Sequence, residues 1–202
     1  MSIALKRIES EGLRGRVGES GDLIHFAFRQ RARRTVAQSW GIRAPWAFNV
    51  VGRAIRALPV RSRLRRLMFR KALNDALAAY NRRDWPPLLL SVADDVEVNP
   101  PKGVVALGFE PAYRGPDGYL EYQYRWIEHW GDFSVVPEIA IDLDDRLVVL
   151  GTMGGTEPRS KVPIDTEFGT LDTYSGARLV RQQVFLSHAD ALRAAGLHEL
   201  LG

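Results

Sequence analysis

The chain of 202 residues contains no cysteine, which excludes a disulfide framework, a thiolate metal site and a cysteine nucleophile. It also lacks an apolar run of the roughly 18 residues that a spanning helix needs. Its greasiest stretches, Trp46–Val51 and Arg146–Gly151, are bounded or broken by charge, so no membrane-spanning segment is predicted. There is no apolar leader, because Met1-Ser2-Ile3-Ala4-Leu5 runs straight into Lys6, Arg7 and Glu9, and the cytosol is the expected compartment. Histidine is scarce: His25, His129, His188 and His198 fall in different elements without an i, i+4 pair, so no metal site is expected. Neither a Gly-x-Ser-x-Gly elbow, a phosphate loop nor a dinucleotide fingerprint occurs, and the reading includes no cofactor.

What is present is ordinary globular material, 46% hydrophobic and 26% charged, with its charge unevenly divided. Residues 1–70 hold 16 basic residues against Glu9, Glu11, Glu19 and Asp22, a balance of +12; the remaining 12 basic and 20 acidic residues give −8. Two physically different segments share the chain, divided as a basic extension over 1–65 and a globular domain over 66–202.

The first 45 residues show weak periodicity, scattered glycines and the run Arg29-Gln30-Arg31-Ala32-Arg33-Arg34, which reads as a loosely ordered arm. From Pro45, Phe48, Val51, Ile55 and Leu58 recur at helical spacing, predicting an amphipathic helix near 46–58 that Pro59 stops. A second helix carries Phe69, Leu73, Ala76, Leu77 and Tyr80 and ends near Asn81. After a short apolar helix over Leu88–Val92, Val96-Glu97-Val98-Asn99 alternates as a strand, placing Glu97 and Asn99 on one face. Gly115-Pro116-Asp117-Gly118 opens a helix with Tyr119, Tyr122, Trp126 and Trp130 on one stripe. Beyond Gly131 the period falls to two, predicting strands over Phe133–Leu143, Leu147–Met153, Val162–Tyr174 and Leu179–Leu186. Ser187-His188-Ala189-Asp190 caps a last short helix that Gly196 can end. Helices followed by a strand meander indicate an α+β domain with helices on one face of a curved sheet and a pocket between them.

Several segments look familiar: Ala79-Tyr80-Asn81-Arg82-Arg83-Asp84-Trp85, Ala93-Asp94-Asp95-Val96-Glu97-Val98, Tyr113-Arg114-Gly115-Pro116-Asp117-Gly118, Trp126–Asp132, Asp142–Leu150, Val162-Pro163-Ile164-Asp165 and Val184-Phe185-Leu186. Together they resemble the SnoaL-like, nuclear-transport-factor-2-like (NTF2-like) superfamily over about residues 66–197. The resemblance implies a cystatin-like cone, a curved antiparallel sheet wrapped around N-terminal helices, commonly a homodimer packed through the sheet. Its members include ketosteroid isomerase, SnoaL-type polyketide cyclases, limonene-epoxide hydrolase and scytalone dehydratase, so fold alone does not choose a reaction. The isomerase's base, oxyanion tyrosine and neutral aspartate correspond to Asn99, Ala76 and Thr170, none of which can fill the role. The epoxide hydrolase's polar set matches only at Asn99, the other positions falling at Thr152, Gly154 and Gln183.

The remaining candidate for proton transfer is Asp172. If Phe168, Thr170, Asp172 and Tyr174 face the pocket, this carboxylate lies on an apolar wall that raises its pKa. Asn99 and Gln183 are read as orienting a carbonyl or enolate oxygen, and Glu97 as a substrate contact and alternative base. Tyr119, Tyr122, Trp126, Thr170 and Tyr174 are read as lining for a flat aryl or polycyclic ligand. The leading expectation is cofactor-free cyclisation, isomerisation or dehydration of a hydrophobic carbonyl compound. The competing one is a non-catalytic binding or assembly module whose basic segment, residues 1–65, engages nucleic acid or an anionic membrane surface. For residues 46–70 the favoured reading is an intramolecular dock of the basic helix on the acidic domain.

Overall fold

A computed structural model describes residues 21–156 and 160–200, the Glu199 side chain apart. The first 20 residues of the expected arm lie outside the described residues. The described strands are β1 (Asp22–His25), β2 (Val92–Asn99), β3 (Tyr113–Arg114), β4 (Ser134–Asp142), β5 (Arg146–Thr156), β6 (Pro163–Ser175) and β7 (Arg178–Phe185). They form one curved, unclosed sheet in the order β1-β4-β5-β6-β7-β2-β3. All pairings are antiparallel except β2 beside β7, which is parallel. Helices α1 (Val36–Arg43), α2 (Pro45–Arg56), α3 (Arg63–Asn81), α4 (Trp85–Leu89), α5 (Gly115–Trp130) and α6 (His188–Ala195) complete the described elements, with two short 3₁₀ turns. No described helix is long and apolar enough to cross a membrane.

Both faces of the sheet are covered, and the strands alternate accordingly. On the concave side, Val96 and Val98 of β2, Val135 of β4, Met153 of β5 and Val184 of β7 pack with Tyr80 of α3 and Tyr122 and Trp126 of α5. On the other side, Ile139, Ile141, Val148, Leu150 and Leu171 pack under Ala191 and Leu192 of α6. Ser187 caps α6 by accepting from the Asp190 backbone N–H, and Gly196, at φ +80°, ends it.

The expected looseness through residue 45 does not extend over 21–45. Leu23↔Ile141 and Ile24↔Ala140 register β1 on the free edge of β4, and Thr35 and Gln38 form a reciprocal capping box at the start of α1. A four-residue edge strand has too few positions to show period two, and its partner lies more than a hundred residues away in sequence.

Two arginines in the first turn of α3, Arg65 and Arg66, hold the extension to the sheet. Asp22 and Asp142 sit directly opposite each other on β1 and β4, two buried carboxylates facing across the ladder. Adjacent arginines neutralise them one each. Arg66 donates from Nε and Nη2 to the Asp22 carboxylate at 2.8 and 2.6 Å, and Arg65 from Nε and Nη2 to Asp142 at 2.8 and 2.9 Å. Fully buried Arg65 also donates through Nη1 to the carbonyls of Arg56 and Leu58 at 2.5 and 2.7 Å, tying the end of α2 to the β4–β5 turn. On its inner face α2 approaches the β6–β7 hairpin so closely that a Cβ on Gly52 would lie 2.7 Å from the Cβ of Ala177. Residues 46–70 are thus docked on the domain through charge and close packing.

Candidate active site

Between α3, α5 and the concave sheet lies a cavity of about 130 Å³. Its wall is mostly aliphatic and aromatic, including Leu73, Ala76, Leu77, Leu88, Trp126, Phe133, Met153 and Phe168. Period two on β6 delivers Phe168, Thr170, Asp172 and Tyr174 to this wall, while Leu171 turns to the α6 side. Helical spacing on α5 brings Tyr119, Tyr122, Gln123 and Trp126 to it from above.

Asp172 is the charged group of the wall and is 6% exposed. Gln182, its cross-strand partner on β7, donates from Nε2 to Asp172 Oδ1 at 3.0 Å. Burial raises the carboxyl pKa to about 6, opposed by hydrogen bonds from Gln182 and Thr170 and by the charge of Arg56. A carboxyl in that range can hold or release a proton near neutrality. Arg56 reaches in from α2 with its guanidinium 3.7 Å above the Tyr174 ring centroid and its Nη1 donating to the Asp144 carbonyl at 2.7 Å. Desolvation pushes the phenols of Tyr119, Tyr122 and Tyr174 upward, so each remains a protonated donor. For Tyr119 and Tyr174 the nearby Asp172 charge adds to that effect.

Six of the nine residues singled out in the sequence, Tyr119, Tyr122, Trp126, Thr170, Asp172 and Tyr174, stand in the cavity wall. Glu97, Asn99 and Gln183 do not, and their assignment to the pocket is corrected. Val96 and Val98 are completely buried and take the inner face of β2, so Glu97 and Asn99 face outward. There Asn99 Nδ2 donates to Glu97 Oε1 at 3.0 Å, Arg181 Nε donates to Asn99 Oδ1 at 3.1 Å, and Arg114 Nη2 lies 2.8 Å from Glu97 Oε2. The Asn99 hydrogen bond, with Arg114 and Arg181 nearby, lowers the Glu97 pKa and keeps it ionised on the outer surface. Gln183 is displaced by parity: Val184 is in the wall, so Gln182 shares its face and Gln183 takes the other. An extra residue, Val180, interrupts the β6–β7 register, allowing Leu179 to face inward with Gln182 and Val184.

Four contributors escaped the sequence reading as site residues. Gln182 was legible from the parity of Val184. Gln123 interrupts the aromatic stripe at i+4 from Tyr119, and a polar residue inside an apolar stripe is itself a signal. Gln123 is buried and, like the Tyr80 hydroxyl, makes no hydrogen bond within the described residues. Tyr80 looked like an ordinary core position, and Arg56 reaches the site only through the docking of α2.

Comparison with known proteins places this cone in context. No curated protein matches the chain. Among solved structures, an NTF2-like protein of unknown function from Burkholderia pseudomallei superposes with a TM-score of 0.53 at 24% identity, covering 61% of this chain and 93% of that one. TerC, co-crystallised with polyporic acid, gives 0.53 at 22% identity over 65% and 95% of the two chains. A Jannaschia protein assigned as a SnoaL-like polyketide cyclase gives 0.50 at 14% identity over 63% and 88%. At these identities the likeness establishes the fold alone. The SnoaL-like domain family itself matches residues 73–183, more than half of the chain and the whole span from the cavity-lining part of α3 to β7, and the chain belongs to that family.

Proposed function

We propose that the protein binds a small, hydrophobic, oxygen-bearing molecule in this cavity and moves a proton on it without a cofactor, Asp172 acting as the base and then the acid. The observation that carries the reading is a single carboxyl, buried in an apolar wall, with a pKa of about 6 and protonated phenols beside it. Asp172 takes a proton from carbon next to a carbonyl, and the oxygen that gains charge accepts a hydrogen bond from the Tyr119 hydroxyl. Gln182 orients the carboxylate through Oδ1. The Gln123 amide, without a hydrogen bond among the described residues, offers a second polar contact, which suits a ligand with oxygen at both ends.

Volume restricts the choice. A cavity of about 130 Å³ is on the order of those that hold a single benzene ring, so an aryl ketone or enol fits and a fused polycycle does not. The reading keeps the homodimer implied by the family resemblance and the cytosol as compartment. The test is solvent deuterium exchange into the α-carbon of a one-ring aryl ketone, followed by mass spectrometry. Exchange by the native chain that is lost in Asp172→Asn, with the fold intact by circular dichroism, supports the proposal. Absent exchange, or exchange retained in the variant, removes Asp172 from the chemistry.

A further inference from the structure

Helix α2 is apolar on both sides, which a docked surface helix is not expected to be. Its inner face, Phe48, Gly52 and Ile55, is spent on α1, the β6–β7 hairpin and the core. Its outer face presents Trp46, 74% exposed, Val50, 57% exposed, and Ala54, at i, i+4 and i+8. Nothing among the described residues covers this stripe.

The segment of chain that carries the stripe is charged with one sign. From Leu23 to Asn74, 52 residues in all, there is no acidic side chain and there are 13 basic ones. Part of that charge is committed internally: Arg31, Arg34, Arg65, Arg66 and Lys71 pair with Asp75, Asp84, Asp142, Asp22 and Asp75. Arg33, Arg43, Arg53, Arg63 and Arg70 are exposed and pair with no carboxylate among the described residues. Arg43 ends α1, three residues before Trp46, and Arg53, at i+7 from Trp46, is exposed at the flank of the stripe with its stem along Gly176 of the β6–β7 hairpin.

From this arrangement we infer that the outer face of α2 is a docking surface for a bilayer rich in anionic phospholipid. Trp46 and Val50 enter the headgroup boundary while the flanking arginines meet lipid phosphates. A nucleic-acid surface would use the arginines but leaves no role for the exposed indole and valine side chains. The inference is independent of the chemistry proposed for Asp172, and it brings the two regions together. Arg56, on the opposite side of α2, stacks on the cavity residue Tyr174, so a bilayer against the outer face lies about one helix diameter, roughly 10 Å, from the cavity wall.

The experiment is co-sedimentation of the full chain with vesicles of phosphatidylcholine alone and of phosphatidylcholine with one-third phosphatidylglycerol. Binding is expected only to the anionic vesicles and weakens as salt is raised. The double variant Arg43→Gln/Arg53→Gln lowers partitioning about 30-fold, and Trp46→Ser lowers it about tenfold, with urea midpoints unchanged in both. Absence of vesicle binding, or binding insensitive to both variants, overturns the inference. So does binding of a duplex oligonucleotide in place of vesicles, with the arginines needed and Trp46 not. Conversion of a dimer to a monomer by Trp46→Ser in sedimentation velocity would assign the stripe to a second copy instead. Shielding of Trp46 from acrylamide in the vesicle-free chain, read as the difference from Trp46→Phe, would assign it to the chain's own residues.

Discussion

Replacing Asp172 by Asn exposes the electrostatics of the cavity through stability alone, with no substrate needed. The Asp172 pKa is about 6 in the folded chain against 3.8 for an ordinary carboxyl, and burial is the first cause. Because the folded-state value is the higher one, the folded chain holds more protons than the unfolded chain between those two values, and stability falls as pH rises across that window. At about 1.4 kcal/mol per pH unit, the interval corresponds to roughly 3 kcal/mol of destabilisation at pH 7 relative to pH 3. Asn has the same shape, can accept the Gln182 hydrogen bond through its own oxygen, and brings no charge into the wall. Urea unfolding of both proteins from pH 3 to pH 8 is the assay. The variant should gain on the native chain across pH 4–6, ending about 3 kcal/mol ahead above pH 6.5, with no further change beyond. A difference that is flat with pH, or that favours the native chain as pH rises, refutes the idea that Asp172 is ionised at a desolvation cost. A gain in stability accompanied by loss of exchange activity is the pattern expected where a buried carboxylate is kept for chemistry.

Other perturbations follow from the same geometry. Arg56→Met removes a cation that lowers the Asp172 pKa, so the acidic limb of the kcat/KM profile should move to higher pH; an unmoved limb would show that Arg56 does not act on the carboxyl. Arg65→Ala leaves Asp142 buried without its partner and should cost about 3–5 kcal/mol in urea unfolding, whereas a loss under about 1 kcal/mol would show that the docking of the extension does not depend on this pair. Gln123→Leu removes a buried amide that makes no hydrogen bond among the described residues, so thermal unfolding should show no loss of stability or a gain of about 1 kcal/mol. In the same variant, calorimetry should find weaker binding of an aryl ketone bearing a second oxygen; a clear loss of stability instead would make Gln123 a structural residue.

The long strands of the meander and the aromatic stripe of α5 were legible because each carries its own period over eight or more residues. The inward face of β6 was legible for the same reason: Phe168, Thr170 and Tyr174 alternate with residues that turn away, and Asp172 follows the alternation. Glu97 and Asn99 were correctly placed together but on the wrong face. Their alternation with Val96 and Val98 indicates two faces, and the choice follows from the completely buried valines rather than from correspondence with a relative's strand. Gln183 failed in a related way, since a family position carried over by spacing does not settle which face its side chain takes; the parity of Val184 favours Gln182.

The amino-acid sequence by itself determined the α+β class and most of its long helices and strands, which rest on short-range periodicity and local turn chemistry, while the acidic candidate on β6 came from that alternation together with the family resemblance. The tertiary structure alone decided that β1 extends the sheet, that Arg65 and Arg66 neutralise carboxylates on two neighbouring strands, and that Arg56 stands over Tyr174. Each of these joins residues far apart in the chain. Which cation meets which carboxylate is set by strand register and helix docking, and these are fixed only when the whole core packs.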